Sequence, residues 1–314
     1  MIVTQNVTKY FGKFQALKNI SFEISKGEIV GCLGQNGAGK TTLMRLLTSY
    51  LPATSGKILI GGIDVSKNSL SIRRKIGYLP ETPPLYVNMT VRGYLKFAAR
   101  LKDVPSRQQC IQVDRVTEEC HLKEVENKTI RILSKGFRQR VGIAQAIIND
   151  PDVLILDEPT SGLDPIQILQ VRQLIQNLRS QRTVLLSTHI LSEIEQIAQR
   201  VLIIRNGEIL ADASMEDLLS GSDMRKKVVV RVRGDKPLIE KILQGINNLK
   251  QIRMDSSEDI HCIELEKTGS GEQTSALCEQ VLKAGCQILE IKELKPTLEN
   301  VFLSLHSSGA KESQ

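Results

Sequence analysis

Gly34-Gln35-Asn36-Gly37-Ala38-Gly39-Lys40-Thr41-Thr42 fits the phosphate-binding pattern G-x-x-x-x-G-K-[ST] at every fixed position. The residues before it, Glu28 to Leu33, read as a short buried strand, and Thr42 to Thr48 carry the apolar spacing of a helix. A strand, a glycine loop and a helix start are the context this pattern requires. Glycines let the loop turn its backbone N–H groups inward around a phosphate, and the helix N-terminus adds partial positive charge. Lys40 then reaches the β- and γ-phosphates, and the Thr41 hydroxyl is placed to ligate Mg²⁺. A chance glycine-rich turn is the alternative, and it would not bring the flanking strand and helix with it. The stretch implies a nucleoside triphosphate site.

The chain has 314 residues, enough for one large domain and a smaller one. Its apolar and charged fractions are those of an ordinary globular protein. No run approaches the roughly 18–20 apolar residues of a membrane span, and the N-terminus lacks a signal peptide's apolar stretch. A cytoplasmic chain is expected, with room for a membrane-bound partner. Cys32, Cys110, Cys120, Cys262, Cys278 and Cys286 show neither C-x-x-C nor metal-site spacing, so they read as thiols in a reducing compartment. The net charge is +7, and fourteen Lys+Arg against fourteen Asp+Glu from residue 221 onward place the whole excess in the first 220 residues. Long basic blocks and interleaved aromatics are missing, so no nucleic-acid partner is expected. A solvated surface around a polyphosphate site accounts for the excess.

Ile2–Val7 and Ile20–Ile24 alternate as strands do, with Tyr10-Phe11-Gly12 between them. An aromatic before a glycine, upstream of a phosphate loop, suits either base stacking or a packed turn. Lys57–Ile60 and Ile76–Leu79 read as strands, the second ending at Pro80-Glu81. Thr90 to Leu101 is amphipathic with Thr90 as its cap, and the polar, helix-like stretch to about Ile132 suggests a helical insertion. Val153–Leu156, Thr183–Ser187 and Val201–Ile204 are apolar strands, and Asn206-Gly207 marks a hairpin leading to Glu208–Leu210. Such strands alternating with helices imply a mainly parallel sheet with its chemistry at the strands' C-terminal ends. Beyond a linker at Ser220–Asp223 the pattern restarts. Strands near Val228–Arg233, Ile252–Asp255, Ile260–Glu266 and Ile288–Leu294 enclose helices at Pro237–Leu249 and Glu272–Ala284, a ferredoxin-like β-α-β-β-α-β order. A last short helix is expected after Pro296, with Leu298, Val301, Phe302 and Leu305 on one face.

The strand Val153–Leu156 ends in Asp157-Glu158, two acids where a triphosphatase needs them. Asp157 is suited to hold a Mg²⁺ shell through water, and Glu158 to act as general base toward the attacking water. Unpaired carboxylates at a buried strand end are too costly to be there for packing alone.

Upstream of those acids, Leu133-Ser134-Lys135-Gly136-Phe137 resembles the LSGGQ signature of ATP-binding cassette (ABC) ATPases, with Lys135 and Phe137 as departures. Downstream, Ser161-Gly162-Leu163-Asp164 resembles the family's D-loop, and Thr188-His189 resembles its switch histidine. The ordered set covers about residues 1 to 215. The resemblance implies an α/β P-loop NTPase fold: an ABC-type nucleotide-binding domain over 1–218 with a helical subdomain at about 84–132. A linker at 219–226, a small C-terminal α+β accessory domain at 227–306 and a tail at 307–314 complete that division.

The resemblance also implies roles. Two such domains pair head to tail, as a homodimer or heterodimer, so Ser134 and the Gly136 N–H would meet the γ-phosphate on the partner's loop. Gly34 to Thr42 would hold ATP, with Thr41, Glu81 and Asp157 toward Mg²⁺. Glu158 would be the general base, His189 would contact the γ-phosphate, and Asp164 would link the two sites. Phe11 matches the base-stacking aromatic, with Tyr10 as the fallback. Many members carry glutamine where this chain has Glu81, and Ile76–Glu81 with Leu133–Gly136 resembles one exporter branch that includes the ATPase of gliding-motility systems. The function implied is the ATPase subunit of an exporter, on the cytoplasmic face of the membrane, driving separate transmembrane permease subunits. The helical segment Leu85–Leu101 is the candidate contact with them, against the alternative of an ordinary amphipathic helix on its own core. DNA-repair members carry long heptad segments and ribosome-associated members usually carry two cassettes, neither of which is visible here. A nucleotide-sensing regulator would be expected to lose Glu158 or His189, and both are present.

Overall fold

In the computed structural model, the N-terminal segments form a long antiparallel hairpin. β1 (Ile2–Phe11) and β2 (Phe14–Ile24) meet at the pair Phe11–Phe14, across a turn at Gly12. The Tyr10-Phe11 step is thus the end of a strand. The structure describes residues 1–178, 182–220, 226–245, 249–257, 259–267, 272–294 and 298–299. These divide into two compact units, 1–215 and 216–314.

From β2 the chain enters a second sheet with β3 (Ile29–Leu33), passes through the glycine loop and continues as α1 (Lys40–Leu47). It then returns to the first sheet with β4 (Ser55–Ile60) and β5 (Ile63–Asp64), giving the order β2-β1-β4-β5, antiparallel throughout. The mainly parallel sheet expected from the apolar strands is a different sheet, and these alternating N-terminal strands form an antiparallel one beside it in sequence. Alternating polar residues let one face of their sheet meet water, which a parallel sheet does not permit.

The α2 helix (Ser69–Lys75), capped by the Asn68 side chain accepting from Ser71 N–H, leads into β6 (Ile76–Leu79). A helical segment follows: α3 (Val91–Leu101), α4 (Ser106–Glu119) and α5 (Lys135–Ile147). Thr90 caps α3, its hydroxyl accepting from Gly93 N–H. The helix starts at Val91, so Leu85 to Met89 precede it as irregular chain, set off by Pro83 and Pro84. Next come β7 (Val153–Asp157), α6 (Pro165–Leu178), β8 (Thr183–Thr188), α7 (Leu191–Ile197), β9 (Arg200–Arg205) and β10 (Glu208–Ser214). The second sheet runs β10-β9-β3-β8-β7-β6, parallel except for β10.

Every residue of β3, β7 and β8 is buried, as continuous apolar runs in a covered parallel sheet demand. The core gathers around α1. Leu43, Met44, Leu46 and Leu47 are almost fully buried and pack with residues of both sheets. At about 1.5–3 kcal/mol for each such side chain, this packing fixes where the start of α1 sits. Among the described residues, no helix is long and apolar enough to cross a membrane.

The second unit begins within α8 (Met215–Ser220). It comprises β11 (Lys226–Arg233), α9 (Lys236–Gln244), β12 (Leu249–Ser257), β13 (Ile260–Lys267), α10 (Glu272–Lys283) and β14 (Gln287–Leu294). Its antiparallel sheet runs β12-β13-β11-β14, the ferredoxin-like order. Val228, Val230 and Val232 share the buried face with Ile263, Leu265, Ile239 and Leu277. Helix α9 stops at Gln244, where Gly245 caps it, and Leu249 opens a strand instead of closing the helix. The rest of the expected linker, residues 221–225, lies outside the described residues. So does the expected terminal helix, apart from Leu298 and Glu299.

Candidate functional site

The loop between β3 and α1 is shaped by what presses on it. Gly37 and Gly39 have φ of +81° and +110°, and a methyl group at Gly39 would lie 2.7 Å from Leu17 and 3.0 Å from Ala16 O. Only glycine suits that conformation in that space. From the other side, Gly207 N–H donates to Ala38 O at 3.0 Å, so the β9–β10 turn holds the loop as well. The outcome is a backbone cradle leading directly into α1 at Lys40.

Lys40 is buried. Its Nζ donates to Gly34 O at 2.7 Å and Gln35 O at 3.3 Å, and lies 3.3 Å from Glu158 Oε1. Asp157 ends β7 and Glu158 follows it with φ +49°, an uncommon conformation outside glycine. Asp157 Oδ1 accepts from Ser187 Oγ at 2.5 Å and from Thr41 Oγ1 at 3.4 Å. Glu158 N–H reaches both the carbonyl and the hydroxyl of Ser187 at 3.1 Å. His189, just past β8, places Nδ1 2.8 Å from Glu158 Oε2. A carboxylate only accepts, so Nδ1 carries the proton.

A cavity of about 430 Å³ opens over these groups, lined by Gln35 to Gly37, Gly39 to Thr42, Glu81, Glu158 and His189. Phe11, Phe14 and Ala16 form its other wall. Phe11 is half exposed, with Lys9 Nζ 5.2 Å from its ring centre. Tyr10 does not line the cavity. Tyr78 and Cys32 are close enough to feel the carboxylates. Burial, reinforced by Asp157, pushes the Tyr78 phenol up to about 12. Burial pushes the Cys32 thiol up to about 12 against the pull of Lys40, which leaves it a packing group.

Mg²⁺ bound with substrate phosphates needs only one or two protein oxygens. Thr41 and Asp157, in mutual hydrogen-bond contact, fit that demand, and Glu81 lines the same cavity as Thr41.

The signature-like residues stand apart from this cavity. Ser134 caps α5, its hydroxyl accepting from Phe137 N–H at 3.3 Å, and the Phe137 ring faces the Arg140 guanidinium at 4.1 Å. A methyl group at Gly136 would press on Gln167 at 2.6 Å, and Lys135 Nζ lies over Gly162. Asp164 caps α6, accepting from Gln167 N–H at 2.9 Å. None of Leu133, Ser134, Lys135, Gly136, Phe137 and Asp164 lines the cavity that holds Lys40 and Glu158.

Three contributors were not picked out from sequence. Ser187 holds the Asp157 carboxylate and the Glu158 backbone N–H, and its signal is a hydroxyl directly after the apolar run Val184–Leu186. Phe14 faces Phe11 only because the hairpin pairs them. Glu193 is buried in α7 and bonded to Thr160 and Thr188, with no local pattern to mark it.

Residues 17–161 match the family described as ABC transporter. The chain is 40% identical over 220 residues to the ABC transporter ATP-binding protein YcbN of Bacillus subtilis, covering 69% of this chain and 71% of that one. It is 34% identical over 317 residues to the bacitracin transport ATP-binding protein BcrA of Bacillus licheniformis, covering 98% of each, so that likeness spans the second unit too. Among solved structures, a dimeric ATP-binding cassette in a post-hydrolysis state, bound to ADP and Pi, superposes with a TM-score of 0.63 at 26% identity. That match covers 68% of this chain and 99% of the other. The chain therefore belongs to the ABC transporter ATP-binding proteins, and it is an ATP-binding, ATP-hydrolysing subunit of that family.

Proposed function

We propose that this chain powers a membrane exporter by pairing head to tail with a second ATPase subunit and driving separate transmembrane permease subunits. The observation that carries the pairing is the separation of Ser134 from the cavity of its own Lys40. A γ-phosphate held by Lys40 would then need the signature of another chain. The dimeric cassette bound to ADP and Pi supports this reading, and the likeness to a bacitracin transport protein supports transport.

In this account Lys40 exchanges its loop carbonyls and Glu158 Oε1 for the β- and γ-phosphates of ATP. Glu158 Oε1 is thereby freed to accept a proton from the attacking water, while Oε2 stays with His189. The water oxygen bonds to Pγ, the bond to the β-phosphate bridge breaks, and the electron pair leaves with ADP. Mg²⁺, held by Thr41 and Asp157 with Glu81 beside them, would neutralise charge on the β- and γ-phosphates. Phe11 stacks on the base. Closure of the pair on ATP and reopening after product release would move the permease between two states.

A larger groove of about 520 Å³ lies on the same unit, lined by Tyr50, Leu70, Arg73, Tyr78, Leu101 and Lys102. With the nearby α3 it is the face we assign to the permease, which would place the chain on the cytoplasmic side of the membrane. The pairing is tested by mixing two inactive chains, Lys40→Met and Ser134→Arg. Head-to-tail pairing predicts recovered ATP turnover, because each mixed dimer regains one intact site. Absence of recovery, with both chains folded, would overturn the pairing.

A further inference from the structure

We infer that Glu193 is a positioning residue for ATP hydrolysis, holding the Glu158 and His189 loops in register through one carboxylate oxygen. The inference rests on the roles proposed above for those two residues. Glu193 is 2% exposed in the first turn of α7. Its Oε2 accepts from Thr160 Oγ1 at 2.6 Å and from Thr188 Oγ1 at 3.0 Å. Thr160 lies two residues beyond Glu158, and Thr188 immediately precedes His189. The Thr188 oxygen also accepts from Ile190 N–H at 3.0 Å, on the far side of His189. One buried oxygen thus fixes chain on both sides of the histidine and just past the general base.

The arrangement is costly if its only use is packing. Among the described residues, Glu193 Oε1 is buried without a hydrogen-bond partner, and the carboxylate meets hydroxyls instead of a cation. A buried polar atom left unmatched opposes folding, and an apolar side chain of similar shape would avoid that penalty. What the carboxylate provides is an acceptor shared by two loops that leave neighbouring strands. Those loops bring Glu158 Oε2 and His189 Nδ1 to 2.8 Å. Small displacements there matter, since a shift of about 1 Å in a catalytic group costs about 100-fold in rate.

The test uses the full-length chain, with steady-state ATP turnover, ATP affinity and thermal unfolding measured together. Glu193→Ala is expected to lower kcat about 30-fold while KM for ATP changes less than about threefold, as for other supporting shells. Glu193→Gln, which keeps an acceptor, is expected to recover most of that loss. Thr160→Val lowers kcat in the wild type and adds little in Glu193→Ala, because the two act through one bond. Additive effects, an unchanged kcat, or equal losses in KM and kcat would overturn the inference. Should Glu193→Ala fail to fold, Thr160→Val and Thr188→Val, alone and together, delete the same bonds from the hydroxyl side, and an unchanged kcat in the double variant overturns the inference. Glu158→Gln is measured alongside: if it keeps full turnover, the assignment of the base fails, whereas its loss beside an unaffected Glu193→Ala removes only the role of Glu193.

Discussion

Lys40 and Glu158 form an ion pair at 3.3 Å with both side chains less than a tenth exposed. The lysine belongs to the phosphate loop and the glutamate to the end of β7, so the pair ties the nucleotide-binding element to the hydrolytic one. A buried charge that loses its partner destabilises by about 3–5 kcal/mol. Lys40→Met is therefore expected to lower the thermal stability of the chain without nucleotide. Adding Glu158→Gln to it should restore most of the loss, because the stranded charge is gone. Additive destabilisation in the double variant would show that the pair carries no net coupling.

The two-phenylalanine wall makes a separable prediction about affinity. Stacking of a base on an aromatic is worth about 1–3 kcal/mol, so Phe11→Ala should weaken ATP binding about tenfold. Phe11→Trp should keep it, and Tyr10→Ala should leave it close to wild type, since Tyr10 lies off the cavity. Equilibrium binding of ATP to the three variants checks this. If Phe14→Ala were the damaging change and Phe11→Ala silent, the stacking role would pass to Phe14.

Lys102 supplies a pH dependence. Its ammonium donates to Ala146 O and Asn149 Oδ1, each at 2.9 Å, and burial lowers its pKa to about 8. Below that pH both folded and unfolded chains hold the proton, and the folded state bears the full cost of the desolvated charge. Between about 8 and about 10.4, the ordinary lysine value, the unfolded chain binds more protons, so this group's contribution to stability rises with pH. The stability of wild type relative to Lys102→Met should accordingly increase across that interval in denaturant titrations. A difference that is flat or falls would contradict the assignment.

Much of the site was legible because its parts are local. Gly34 to Thr42 and Asp157-Glu158 are contiguous, and each carries its chemistry in neighbouring residues. What sequence could not supply was contact between distant segments. Ser187 reaches the Asp157 carboxylate and the Glu158 backbone N–H only because β7 and β8 are parallel neighbours, and Phe14 enters the cavity wall only through its pairing with Phe11. The alternation of the N-terminal strands was readable, while their pairing into an antiparallel sheet was not, for the same reason. β4 returns to β1 after a whole strand-loop-helix unit, and no periodicity records that return. In the second unit, the β-α-β-β-α-β order was readable, while the start of β12 at Leu249 was hidden by its apolar spacing with α9.

Membrane coupling is read out by purifying the chain from gently solubilised membranes. The expected result is a co-purifying polytopic membrane protein that stimulates ATP turnover, with the stimulated turnover lost in Glu158→Gln. Recovery of a purely cytosolic complex, or of ribosomes or DNA, would leave the ATPase chemistry in place and contradict the transport function.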